Sequence, residues 1–136
     1  MPNTKDEKIL RDIIHDICTW DNNTPGGRKH MHDSCVFIRP SGNPLNMAQW
    51  DAMMKNKDVT NGKSRLVKIN SLRITENMAI ACYTSHSQFN YKGVDNDDVA
   101  VFTGVFEKFG FYGEWKLIHG QRSTGRKPSE ELPVFE

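Results

Sequence analysis

The sequence predicts an α+β domain, a curved antiparallel β-sheet packed on N-terminal helices. Three observations carry this reading. Apolar residues recur at helical spacing up to residue 54 and alternate with period two from Ser64 onward. The alternation changes parity near Asn70-Ser71, as it does where a β-bulge bends a long strand. Gly104 stands inside another strand, a position kept for a bend or a close approach. Helices followed by hairpin-linked strands place the helices together on one sheet face.

The first element is an amphipathic helix over residues 4–20. Thr4 and Glu7 have the spacing of a capping box, and Leu10, Ile13, Ile14 and Ile17 make one apolar stripe closed by Trp20. The run from Asp21 to Gly27 ends it with Asn, Pro and Gly. Residues 28–33 read as a basic, His-rich loop, 34–39 as a short strand and 40–44 as a tight turn. Asn46 and Gln49 offer a second capping box, followed by a short helix with Met47, Trp50, Met53 and Met54 on one face. Residues 55–63 read as an exposed loop. Strands follow over 64–76, 78–91 and 98–108, with 92–97 as a polar hairpin loop. The last strand, 113–125, begins apolar and ends polar. Strict alternation puts Trp115, Leu117, His119, Gln121 and Ser123 on one face and Lys116, Ile118, Gly120, Arg122 and Thr124 on the other.

The 136 residues suit one domain spanning 1–136, with 126–136 as a surface tail. Aromatic residues are 10% of the chain, which argues against disorder although only 37% is apolar. The net charge of +1, from 18 basic and 17 acidic residues, argues against a nucleic-acid binder and a polybasic membrane anchor. Cys18, Cys35 and Cys82 are odd in number and apolar in setting, with no Cys-x-x-Cys pair, and read as buried reduced thiols. The N-terminus shows no secretory pattern, and no apolar run reaches the ~20 residues of a membrane span. A soluble cytoplasmic protein is expected.

The order of these elements resembles the nuclear transport factor 2-like superfamily, including its SnoaL-like members. The last strand is similar to the closing strand of the calcium/calmodulin-dependent kinase association domain, of the form Trp-x-x-Val-His-x-His-x-Ser-Gly. Trp115, His119, Ser123 and Gly125 carry the likeness. Gln121 replaces the second His, and one residue is inserted before the Gly. The resemblance implies a cone-shaped, cystatin-like fold enclosing a pocket, and homodimers or larger rings through the outer sheet face. The superfamily hosts isomerases, dehydratases, polyketide cyclases and many non-enzymatic binders, so the fold does not choose a function. The iota-class carbonic anhydrases share a His- and Ser-bearing last strand, matched here by His119 and Ser123 alone.

Two function classes follow. The first is a small-molecule pocket protein for an apolar-bodied or carboxylate-bearing ligand, with isomerase, dehydratase or hydratase chemistry in reach. The second is a non-catalytic oligomerisation or interaction module. If the face of His119, Gln121 and Ser123 lines the pocket, these are the candidate catalytic residues, an acid/base and two hydrogen-bond formers in a row. If the opposite face lines it, Arg122 becomes an anion clamp. Trp20, Trp50, Tyr83 and Thr103 are the other candidate ligand contacts. The pair His30 and His32 with Asp33 sits in a loop without an obvious third ligand and is read as solvated, so no metal is assigned. Asp95, Asp97 and Asp98 read as turn residues, and no cofactor motif is present.

Overall fold

In the computed structural model, residues 4–21, 27–125, 127 and 128 are described. Helix α1 (Thr4–Cys18) leads into a two-residue strand β1 (Trp20–Asp21). A 3₁₀ turn (Gly27–His30) then opens β2 (Met31–Ile38), which is followed by β3 (Pro44–Asn46) and helix α2 (Met47–Lys55). Four strands complete the chain: β4 (Val59–Ile74), β5 (Met78–Tyr91), β6 (Val94–Phe109) and β7 (Glu114–Arg122). They form one sheet in the order β1-β4-β5-β6-β7-β2-β3. Every neighbouring pair is antiparallel except β2 and β7, which run parallel. The sheet is thus mixed at one seam, where the first long strand meets the last.

The apolar stripe of α1 does what its spacing requires. Leu10, Ile13, Ile14 and Cys18 are buried against the inner sheet face, with Ala79, Ala81, Tyr83, Phe106, Trp115 and Leu117. At the start of the helix, the buried Asp6 accepts hydrogen bonds from Lys108 Nζ (2.9 Å) and Trp115 Nε1 (3.1 Å) and ties α1 to the β6–β7 hairpin. Glu7 accepts from Arg11 one turn on. The second capping box is complete: Asn46 Oδ1 accepts from the Gln49 amide (2.8 Å), and Gln49 Oε1 from the Asn46 amide (2.9 Å). This fixes α2 across the open end of the sheet.

The sheet bends where its strands carry extra residues. The β4–β5 register shifts between Ile69 and Ser71, so the bulge expected near Asn70-Ser71 is there, with further shifts between Leu66 and Lys68 and between Thr60 and Lys63. The paired glycines Gly104 and Gly120 sit side by side on the inner face. A Cβ at Gly104 would lie 2.9 Å from the Tyr83 hydroxyl, and one at Gly120 2.8 Å from the Phe37 ring. Both positions are glycine because aromatic rings lie directly on the strand.

Several boundaries differ from expectation. The loop expected at 55–63 is shorter, because β4 begins at Val59 and pairs with Tyr91. The loop expected at 92–97 is a two-residue turn: Lys92 and Gly93 both take positive φ (48° and 89°), the conformation of a type I′ hairpin, and Tyr91 pairs directly with Val94. Polar side chains made these paired segments look like loops. The helix-ending run is described only at Asp21 and Gly27, and the expected surface tail lies outside the described residues except for Lys127 and Pro128, which are exposed.

Candidate functional site

The inward face of β7 is decided by one residue. Leu117 pairs with Phe106 and His119 with Val105, leaving Ile118 as an unpaired extra residue. A single-residue bulge reverses the parity of everything after it. Trp115 and Leu117 therefore point into the core, and beyond the bulge Gly120 and Arg122 continue that inner face. His119 and Gln121 fall on the outer face. The expected continuous face from Trp115 to Ser123 is corrected accordingly.

Beyond the core the inner face opens into a cavity of about 520 Å³, walled by α1, α2, β2 and the far ends of β4–β7. Its body is aromatic. Phe37 meets Trp50 edge-on at 5.3 Å and lies 6.3 Å from Phe102, which stacks on the buried Tyr83 at 5.5 Å. Trp20 lies directly over Gly62, where a Cβ would collide with its ring. Phe89 and Tyr91 extend the wall along β5. Cys18 also lines it; burial pushes its thiol up to about 12, so it acts as a neutral, apolar surface.

The polar groups lie on the sheet. Ser64 and Ser87 share a buried hydrogen bond of 2.9 Å. Arg122 donates to Asp98 at 3.4 Å, their side chains being 14% and 26% exposed. Burial pushes the Arg122 pKa down, and the attraction of Asp98 offsets only part of this. Arg39 belongs to the same wall. Ile38 pairs with Gln121 in parallel register, so Arg39 and Arg122 stand one step further along neighbouring strands, on the inward side that Phe37 and Gly120 occupy. Arg39 donates to the Tyr91 hydroxyl (3.5 Å) and the Asn43 carbonyl (3.4 Å).

Of the residues proposed from sequence, Trp20, Trp50 and Arg122 come together around this cavity. Tyr83 does not reach it: its ring is 1% exposed, behind Phe102. Thr103 is exposed on the outer face opposite Gln121. His119 pairs with Val105 and Val36 on that same face. Ser123 follows β7, where its hydroxyl accepts from the Val101 amide at 3.1 Å. The histidines of the 28–33 segment separate: His30 pairs with Asp16 at 3.0 Å, and His32 stacks on Phe109 at 4.3 Å. His86 and Asp97 make a short contact of 2.6 Å, which holds the Asp97 carboxyl below its ordinary value, but neither residue lines the cavity.

A family model described as a protein of unknown function (DUF3804) matches residues 8–130, almost the whole chain and every element that builds the cavity. The chain belongs to the DUF3804 family. This DUF3804 chain is similar in structure to a nuclear transport factor 2-like protein of unknown function from Prochlorococcus (29% identity, TM-score 0.73, covering 93% of this chain and 96% of that one). It shares its fold with a putative calcium/calmodulin-dependent kinase II association domain from Exiguobacterium sibiricum (15% identity, TM-score 0.66, 95% and 98% covered). It does so equally with the association domain of the C. elegans kinase (20% identity, TM-score 0.57, 89% and 94% covered). No curated protein matches the chain. The α+β cone of the nuclear transport factor 2-like, cystatin-like class is therefore the fold of the DUF3804 chain.

Sequence reasoning missed the charged cavity residues Arg39 and Asp98, along with the aromatic Phe37, Phe89, Tyr91 and Phe102. Beside Asp95 and Asp97, Asp98 reads as a turn residue, yet it shares the parity of Ala100 and Phe102 once the short hairpin turn is known. Arg39 follows a strand whose inward parity is set by Cys35 and Phe37. That parity was a usable signal.

Proposed function

We propose that the protein binds a small, apolar-bodied molecule in the cavity between its helices and the inner sheet face. One observation carries this reading. A cavity of about 520 Å³ is lined by Trp20, Phe37, Trp50, Phe89, Tyr91 and Phe102, with polar side chains such as Ser64, Ser87, Asp98, Arg122 and Arg39 spaced along the sheet between β4 and the β2–β3 turn. That size and composition are those of ligand pockets in general. Binding without catalysis fits best. No His lines the cavity among the described residues, and its one carboxylate, Asp98, is already engaged by Arg122. Isomerase, dehydratase or hydratase chemistry needs a free acid/base at the ligand. The carbonic anhydrase likeness rests on His119 and Ser123, which lie off the cavity.

The test is quenching of tryptophan fluorescence by 2-naphthalenemethanol, a neutral aromatic probe. Saturable quenching is expected, weakened about tenfold in Trp50→Ala, since an aromatic wall contact is worth on the order of 1 kcal/mol. A linear, unsaturable response in the native protein would sink the reading.

A second role, self-association, is supported by the outer sheet face. Ile80, Val105, His119 and Val36 form one cross-strand row, and Cys82, Thr103, Gln121 and Ile38 form the next. Across β5, β6, β7 and β2 both rows are free of formal charge apart from the titratable His119 and Cys82; Arg73 closes the first row on β4, and Ile80 is 48% exposed. An uncharged, partly apolar sheet face is suited to a second copy of the chain. A homodimer or larger ring formed there leaves the cavity open for its ligand.

A further inference from the structure

We infer that the ligand of this cavity is a monocarboxylate with a flat apolar body, and that Arg39, rather than Arg122, receives its carboxylate. The inference rests on the cavity being a binding site. It starts from the charges on the wall. Among the described residues these are two guanidiniums, Arg39 and Arg122, and one carboxylate, Asp98, which leaves one positive charge without a counter-charge. Asp98 contacts Arg122, with both side chains largely buried, so that pair is neutral within the wall.

Arg39 is differently placed. Its two hydrogen bonds go to neutral acceptors at 3.5 and 3.4 Å, both long, and no carboxylate pairs with it among the described residues. A guanidinium offers five donors in a planar fork, so most of its capacity is unused. Arg39 and Arg122 each follow directly on Ile38 and Gln121, the last registered pair of the parallel seam, and both line the cavity. Two like charges so placed, facing an aromatic cavity, are stabilised by an anion that bridges or neutralises them. One carboxylate completes the charge balance, and a second would overfill it. The planar fork of Arg39 matches a planar carboxylate, and the Tyr91 hydroxyl beside it supplies a further donor. The rings of Phe37, Trp50 and Phe102 then hold the apolar body.

Calorimetric titration of the full chain with three compounds sharing one body tests this: 2-naphthalenemethanol, 2-naphthoate and 2,6-naphthalenedicarboxylate. The native protein is expected to bind the naphthoate about tenfold or more tighter than either of the others, as a charge-assisted hydrogen bond requires. Arg39→Gln should bring the naphthoate down to the level of the alcohol. Asp98→Asn leaves two uncompensated guanidiniums and should shift preference toward the dicarboxylate. Equal binding of alcohol and naphthoate by the native protein overturns the charge argument and leaves the cavity reading standing. Failure of all three to bind overturns both. A naphthoate preference that survives Arg39→Gln but is lost in Arg122→Gln shows that the receiving residue has been misassigned.

Discussion

Asp6 shows how much one side chain can hold in a fold this open. It is buried near the start of α1 and joins that helix to two residues more than a hundred positions away, Lys108 and Trp115. The ammonium of Lys108 also lies 5.1 Å from the Trp115 ring, so the three side chains form one cluster. Burial alone would push the Asp6 carboxyl up, but the hydrogen bonds from Lys108 and Trp115, with the charge of Lys108, hold it below its ordinary value. A depressed carboxyl contributes stability that is complete above its unfolded value. That stability is lost as the pH falls through the folded one. Asp6→Asn keeps an acceptor for the indole and removes the charge facing Lys108. We predict a loss of about 1–3 kcal/mol at neutral pH, as for a hydrogen bond to a charged group in a partly buried setting. Denaturant melts of both proteins across the acid range check this. The native protein should converge on the variant as Asp6 protonates, and a gap that stays constant with pH would exclude the electrostatic account.

Strand β7 concentrates what the sequence displayed and what it concealed. Its extent, its apolar beginning and its polar end were legible, because period-two alternation and flanking glycines are local signals. The β4 bulge was also legible, since there the apolar residues themselves change parity. The bulge at Ile118 left no such mark: Ile118 is apolar where a polar residue would have exposed the slip, and His119 and Gln121 are plausible on either face. Thus β7 is the expected element with a different inner face, and its register with Phe102 sets Arg122, rather than His119 and Gln121, on the cavity side. Gly120 tests this local geometry. It lies under the Phe37 ring, where a Cβ would come within 2.8 Å of Cδ2 and 3.1 Å of Cε2. Gly120→Ala must push Phe37 off the strand and toward Trp50. The backbone gain from replacing a glycine is under about 1 kcal/mol, and overpacking costs about 1–3 kcal/mol, so a net loss of stability is expected. Urea unfolding measures it. An unchanged or higher midpoint would mean that Phe37 repacks at no cost and that the glycine serves another purpose.

At the scale of the whole molecule, the sheet divides two kinds of work. Its inner face is filled by α1 at one end and left as a cavity at the other, while its outer face leaves Ile80 and Thr103 exposed. The centre of that outer face is where the polar residues of the last strand went: Gln121 pairs with Thr103, and His119 with Val105. Short and β-branched neighbours flank them, and across β5, β6, β7 and β2 no Lys, Arg, Asp or Glu interrupts the two central rows, Arg73 standing at the β4 end of the first. An exposed sheet face that kept the molecule monomeric would be expected to carry charges there. The proposed self-association face is therefore centred on Thr103 and Gln121. This predicts that the protein sediments as a dimer or larger assembly and that Thr103→Arg dissociates it. Across a two-fold axis the substitution places like charges opposite each other in a desolvated contact, which costs several kcal/mol. Sedimentation equilibrium of both proteins, with circular dichroism to establish that the variant is folded, decides the matter. A folded variant that keeps the native mass removes this face from the interface, and a native protein of monomer mass removes the interface altogether. The cavity opens on the opposite side of the sheet, so a monomeric Thr103→Arg should still bind 2-naphthalenemethanol. Loss of binding together with the assembly would mean that a second copy completes the site.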